Sequence, residues 1–308
     1  MNKRLAVWTV GLIIGLTFSP NLRPQTPNAA ADATKKWNSI PPPTSSYAGK
    51  KSGPPPKRDL SGIWDAAGPA CGAVCGVSGA PEHPALFPGG KGAEGGRLDE
   101  TGIEHPLPYT PLGLAALKAN LPSGPGVRQV HAALANDPAD KCDPLGFPYM
   151  ELWEFRSVKL VQTANQVILF SPFYGNYRII WTDGRDLPNM DIAAPRWNGY
   201  AVGKWVDDYT FVVDTIGLNP KSWLDHAGRP HSGDARITEE FHRVDQNTME
   251  LTMTINDPKM YTEPWKALNK EPLHLQPADF DIQELLCSPA EMAEYNDQVG
   301  SGAAGVKK

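Results

Sequence analysis

The chain lacks the motifs that announce nucleotide, haem or serine-hydrolase chemistry. It has no P-loop, no Gly-x-Ser-x-Gly elbow, no haem-attachment pair and no dinucleotide fingerprint set between a strand and a helix. Basic residues are outnumbered by acidic ones, 29 to 34, and are scattered rather than gathered into a stripe. No nucleic-acid partner is expected from such a surface. The apolar run Leu5–Phe18 is shorter than the ~20 residues a spanning helix needs. No cysteine follows it to carry a lipid, so no stable membrane insertion is expected after processing. Cysteine is sparse: Cys71, Cys75, Cys142 and Cys287. Their spacing contains no Cys-x-x-Cys knuckle, which argues against a four-cysteine zinc site.

What is present begins with an export signal. "MNKR" is a basic start, Leu5–Phe18 has signal-peptide character, and "NAAADA" (28–33) offers small-residue cleavage sites. Residues 1–33 therefore read as a signal peptide, and the mature chain as exported, periplasmic or extracellular. Residues 34–58 hold two proline triplets with Ser, Gly and Lys and read as an extended linker. Residues 59–298 remain as a single β-rich domain, and 299–308 as a disordered tail. In an oxidising compartment four cysteines imply two disulfides, with three pairings open. The expected pairing is Cys71–Cys75 within a Gly/Ala-rich loop and Cys142–Cys287 over a long span.

The β pattern is dense after residue 150. Apolar, β-branched and aromatic runs at 151–163, 166–173, 176–183, 199–206, 209–215, 235–244 and 248–256 are separated mostly by short turn signals. With "DLSGIW" (59–64) they predict a mainly β fold: an antiparallel β-barrel or strongly curled sheet, lipocalin-like by analogy. A few short helices accompany it, at 110–120, at 126–137 and after residue 277. In 236–244 the period of two places Ile237, Glu239, Phe241 and Arg243 on one face. Two inward charges require partners or a polar cavity.

Several segments together, "DLSGIW", "NDPADKCDPLGFP", "WTDGRDLP", "GKWVDDYTFVVDTIGLN", "LDHAGRPHS" and "TMELTMTINDPKMYTEPW", resemble a large family of exported bacterial proteins. The resemblance covers about Asp59 to Cys287. It implies a secreted, mostly β domain and carries over no catalytic residues.

The densest chemistry lies in "WLDHAGRPHSGD" (223–234), in a long connection between two strands. His231, Asp225 and His226 are the candidate catalytic residues. His231 follows Pro230 and precedes Ser232, which favours a held orientation, with Asp225 as its expected carboxylate partner. A divalent metal at His226 and His231 is a minor option; otherwise no cofactor is expected. Candidate ligand-binding residues are Glu239 and Arg243, the loop aromatics Trp197, Trp223 and Tyr261, and Asp183 with Arg185 from a turn. Two functions follow. One is a secreted binding protein for a small molecule or saccharide. The other is an acid/base hydrolase, lyase or isomerase using a His/Asp pair at the barrel mouth.

Overall fold

The computed structural model describes residues 52–65, 96–98, 104–120, 137–152, 157–172, 174–190, 194–225, 228–277, 280–282 and 284–300. Its strands are β1 (Gly62–Asp65), β2 (Gly96–Leu98), β3 (Glu104–Pro106), β4 (Val158–Gln162), β5 (Gln166–Phe170) and β6 (Tyr177–Trp181). They continue as β7 (Tyr200–Trp205), β8 (Thr210–Ile216), β9 (Arg236–Arg243), β10 (Thr248–Asn256) and β11 (Trp265–Leu275). Nine of them close a barrel in the order β1-β11-β10-β9-β8-β7-β6-β5-β4. Strand β1 closes it by pairing with both neighbours, Gly62 opposite Leu160 and Trp64 opposite Leu275. Closure leaves no unpaired sheet edge in the barrel. Strands β2 and β3 form a separate two-stranded sheet.

One junction departs from the expected antiparallel order. Strands β6 and β7 run parallel, Ile180 opposite Ala201. The connection between them therefore crosses from one end of the barrel to the other, which a tight hairpin cannot do. The remaining eight junctions are antiparallel. Strand directions define two ends. The proximal end holds the start of β1 and the turns 206–209 and 244–247. The distal end holds the connections 171–176, 217–235 and 257–264.

Three further differences have local reasons. The run 151–163 is a strand only from Val158, while Tyr149–Leu152 is a helical turn, α2. All four α2 residues are buried, so burial there follows no period of two, whereas β4 begins with buried Val158 and Leu160 on either side of exposed Lys159. Strand β11 has no clean period of two. Ala267 and Leu268 are both buried, its register against β10 shifts near Leu268, and it contains Pro272. Of the expected C-terminal helical segment, the described residues before Ser288 are not helical; α3 (Pro289–Tyr295), whose N-cap Ser288 accepts from the Glu291 amide, runs on into a π-helical turn, Asn296–Gly300. Earlier in the chain Pro111–Asn120 forms α1 as expected. The second expected helix, 126–137, lies outside the described residues except for Asp137, which caps a 3-10 turn, Pro138–Lys141.

The barrel interior is filled. Trp64, Phe211, Phe241, Met249, Leu251 and Met253 are each 2 % exposed or less. A barrel of about eight strands is just wide enough for side chains to fill, and this nine-stranded one is packed with large ones. Gly203 shows how tight the fit is. A Cβ there would lie 2.3 Å from the Phe211 ring, so glycine is what leaves room for that ring to lie over the neighbouring strand. Cys142 and Cys287 form a disulfide with a Cα–Cα distance of 5.4 Å, tying the approach to the barrel to the segment just before α3. Cys71 and Cys75 lie outside the described residues. Among the described residues, no helix is long and apolar enough to cross a membrane.

Candidate functional site

Strand β9 sends Ile237, Glu239, Phe241 and Arg243 inward, all of them buried. Glu239 meets a cation from across the barrel. Arg178, inward on β6, donates to both Glu239 oxygens, at 3.1 and 2.7 Å. The same guanidinium donates to Glu151 of α2 at 2.7 Å and to the Thr215 hydroxyl at 3.3 Å. Its carbon lies 3.5 Å from the centre of the Phe147 ring. Two carboxylates thus share one cation, and all three groups are 1 % exposed or less. Burial, with Glu239 adding repulsion, pushes the Glu151 carboxyl up to about 8 against the pull of Arg178.

Arg243 sits at the other end of the same strand. It donates to the carbonyls of Asp59 and Gln246 and stacks over Trp64, 4.6 Å from the ring centre. Glu239 and Arg243 are therefore not partners in one polar cavity. Glu239 belongs to a closed ion cluster, and Arg243 fastens the proximal turn.

The distal connection 217–235 is anchored at several points. Asp257, at the end of β10, accepts from the Ser232 amide at 2.5 Å and the Ser232 hydroxyl at 2.8 Å. The Tyr261 hydroxyl donates to the Pro230 carbonyl at 2.9 Å. Asn120 of α1 donates to the Gly228 carbonyl at 2.9 Å. Asp225 is fully buried against Arg229, with which it forms an ion pair. That pairing corrects the expected one: Asp225 serves Arg229, not His231. A buried arginine needs a carboxylate more than a neutral imidazole does. His226 lies outside the described residues.

His231 is 3 % exposed. Its Nε2 lies 2.9 Å from Ser222 Oγ, and its Nδ1 lies 3.1 Å from the Ser232 carbonyl oxygen. A carbonyl only accepts, so Nδ1 carries the proton in the neutral ring and Nε2 presents a lone pair to Ser222. Burial holds the imidazole below its ordinary value, against the opposing effects of the Ser232 contact and the Asp257 charge. Burial thus favours the neutral ring.

Ser222 and His231 line a cavity of about 470 Å³ at the distal end, together with Ala116, Asn120, Pro220, Lys221, Trp223, Pro230, Ser232, Gly233 and Met260. Its size falls within the ~300–1,000 Å³ of small-molecule sites. The apolar part of the lining comes from Ala116, Trp223 and Met260 with the two prolines. Trp223 is 8 % exposed and packs on Leu145, Tyr149 and the partly buried Tyr174. Gly146 brings residues 196–198 close: a Cβ there would lie 2.4 Å from the Trp197 carbonyl and 3.5 Å from Ser222 Oγ.

The other candidates stand apart from this cavity. Trp197 contributes its carbonyl, which accepts from the Phe147 amide at 3.0 Å. Tyr261 is buried beneath the loop between Tyr109 and Trp265. Asp183 and Arg185 form an exposed pair at 2.6 Å, with Arg185 stacked on Trp181. Among the described residues no three His, Cys, Asp or Glu side chains are grouped to hold a metal.

Sequence reasoning passed over Arg178, Glu151 and Ser222. A signal existed for Arg178: in "YRIIW" it shares the face of Ile180, so an inward Glu239 called for an inward cation on another strand. Glu151 and Ser222 are set by tertiary contacts and left no such trace. Compared with protein-family models, with curated proteins and with solved structures, the chain matches none.

Proposed function

We propose that the chain is an exported binding protein for a small molecule, and that the ligand sits in the distal cavity rather than inside the barrel. The observation that carries this reading is the juxtaposition of a 470 Å³ cavity with convergent polar groups, Lys221, Ser222 and His231, and an indole wall, Trp223. A few placed polar groups on an otherwise apolar lining orient a ligand and give specificity. The packed lumen supports the same placement. Lys221 favours a ligand with an anionic group, and Trp223 favours a flat body such as an aromatic ring or a sugar face. Export rests on the signal-like start and on the Cys142–Cys287 disulfide, which belongs to oxidising compartments.

Two experiments test the two halves. Thermal-shift screening of the purified chain against small saccharides and aromatic acids should give hits. Lys221→Ala, at an exposed position, should then weaken binding at least tenfold while leaving the unliganded melting temperature close to the parent's, and Trp223→Leu should weaken it as well but lower that temperature, because the indole is buried against Leu145 and Tyr149. Hits indifferent to both substitutions contradict the placement. N-terminal sequencing of secreted material should find a start between about residues 30 and 34; a secreted chain still carrying Leu5–Phe18 contradicts cleavage.

A further inference from the structure

We propose that Ser222 is a nucleophile with His231 as its general base, and that the distal cavity cleaves small carboxylic esters by acyl transfer through Ser222 Oγ. The inference rests on the cavity being the ligand site and adds chemistry to it.

Both reacting groups line the cavity, and their 2.9 Å separation is that of a nucleophile and its base. The orienting role falls to a backbone carbonyl. Ser232 O holds the Nδ1 proton at 3.1 Å, and Ser232 is in turn fixed twice by Asp257. His231 therefore presents Nε2 as an acceptor with its ring orientation fixed. Ser222 Oγ also has a second acceptor, the Asn219 carbonyl at 2.9 Å. When His231 gains a proton, Nε2–H donates to Oγ, and a hydroxyl proton on Ser222 turns to Asn219. The site can thus satisfy both charge states of the imidazole.

In the first step Oγ attacks the ester carbonyl carbon, and the Oγ–C bond forms as the Oγ proton passes to Nε2. The bond from that carbon to the alcohol oxygen then breaks, and the proton moves from Nε2 to the departing alcohol. Water attacks the acyl-Ser222 ester in the same way, with His231 again taking a proton. This releases the acid and regenerates the hydroxyl. The charged groups facing His231 are Asp257, behind Ser232, and Lys221 on the cavity wall. The apolar lining from Ala116, Trp223 and Met260 suits an apolar acyl or alkyl body, and Lys221 suits an anionic substituent.

The test is labelling of the purified chain with diisopropyl fluorophosphate, in which Oγ–P forms and P–F breaks, followed by peptide mass mapping. The expected result is one adduct, on Ser222. Labelling should slow at least tenfold in His231→Gln and fall off as pH drops through a midpoint below 6.5, the ordinary imidazole value. Binding of anilinonaphthalene sulfonate, weakened by Lys221→Ala, reports the cavity separately. Sulfonate binding without a Ser222 adduct overturns the nucleophile and leaves the binding reading intact. Neither signal overturns both. An adduct on another residue overturns the assignment of Ser222. Because the unmodified chain decides the matter, a Ser222→Ala variant that failed to fold would not blur the result.

Discussion

Arg178 is the side chain on which the barrel interior turns. It neutralises only one of the two carboxylates it touches, so Glu151 must hold a proton to stay buried. The fold raises the Glu151 pKa from the ordinary 4.5 to about 8, so the folded chain binds a proton that the unfolded chain releases. The associated stability is fully present below about pH 4.5 and is lost as pH rises through about 8. Urea midpoints should therefore fall across that window, by up to about 1.4 kcal/mol in unfolding free energy per pH unit crossed. Glu151→Gln should flatten the difference, and an equally steep profile in that variant would assign the effect elsewhere. Arg178→Met leaves the buried Glu239 carboxylate without its cation and should cost about 3–5 kcal/mol. A loss below about 1 kcal/mol would mean the cluster is open to water.

At the scale of elements, the described parts of the connection, 217–225 and 228–235, form a hydrogen-bonded cover on the distal end rather than a solvated turn. Its two serines do different work: Ser232 is tied to Asp257, just past the end of β10, and Ser222 meets the imidazole. Asp257→Ala removes the acceptor of two buried donors and should cost about 1–3 kcal/mol. It should also speed hydrogen exchange at Ser232 and Leu224 more than at strand amides. Uniform acceleration across β8 and β9 would instead indicate global loosening. Gly203→Val tests the lumen by overpacking it against Phe211 and should lower stability by about 1–3 kcal/mol.

The elements that could be read from sequence are those with a clean period. In "TMELTMTIN" the apolar members fall on Met249, Leu251, Met253 and Ile255, and the strand is there with that face buried. Strand β11 was hidden because Pro272, a register shift and paired burial at Ala267–Leu268 destroy alternation. Within the site, His231 could be singled out because Pro230 and Ser232 flank it. Its partner could not. Ser222 is nine residues away through a loop whose path is set by Asp257, Tyr261 and Asn120, none of them local. The assignment of Asp225 to His231 failed for the same reason: Arg229, four residues along, competes for that carboxylate more strongly than proximity in sequence suggests.

For the molecule as a whole, a closed barrel with a filled lumen places any ligand chemistry at its ends, and the distal end carries the longer connections. The Cys142–Cys287 disulfide spans 145 residues of sequence and closes a long loop in the unfolded chain, which reduces that ensemble's entropy. Its reduction should lower stability by about 3–5 kcal/mol on the loop-entropy estimate. Denaturation with and without reductant measures that, and equal midpoints would contradict it. The most direct test of the central claim, that ligands bind in the distal cavity and not within the barrel, is amide NMR of the chain titrated with anilinonaphthalene sulfonate. The account predicts that saturating shifts gather on residues 219–223, 230–233 and the end of α1. Shifts centred on inward strand positions such as Val213 and Met253, or on the outer face at Phe170 and Tyr177, would contradict it.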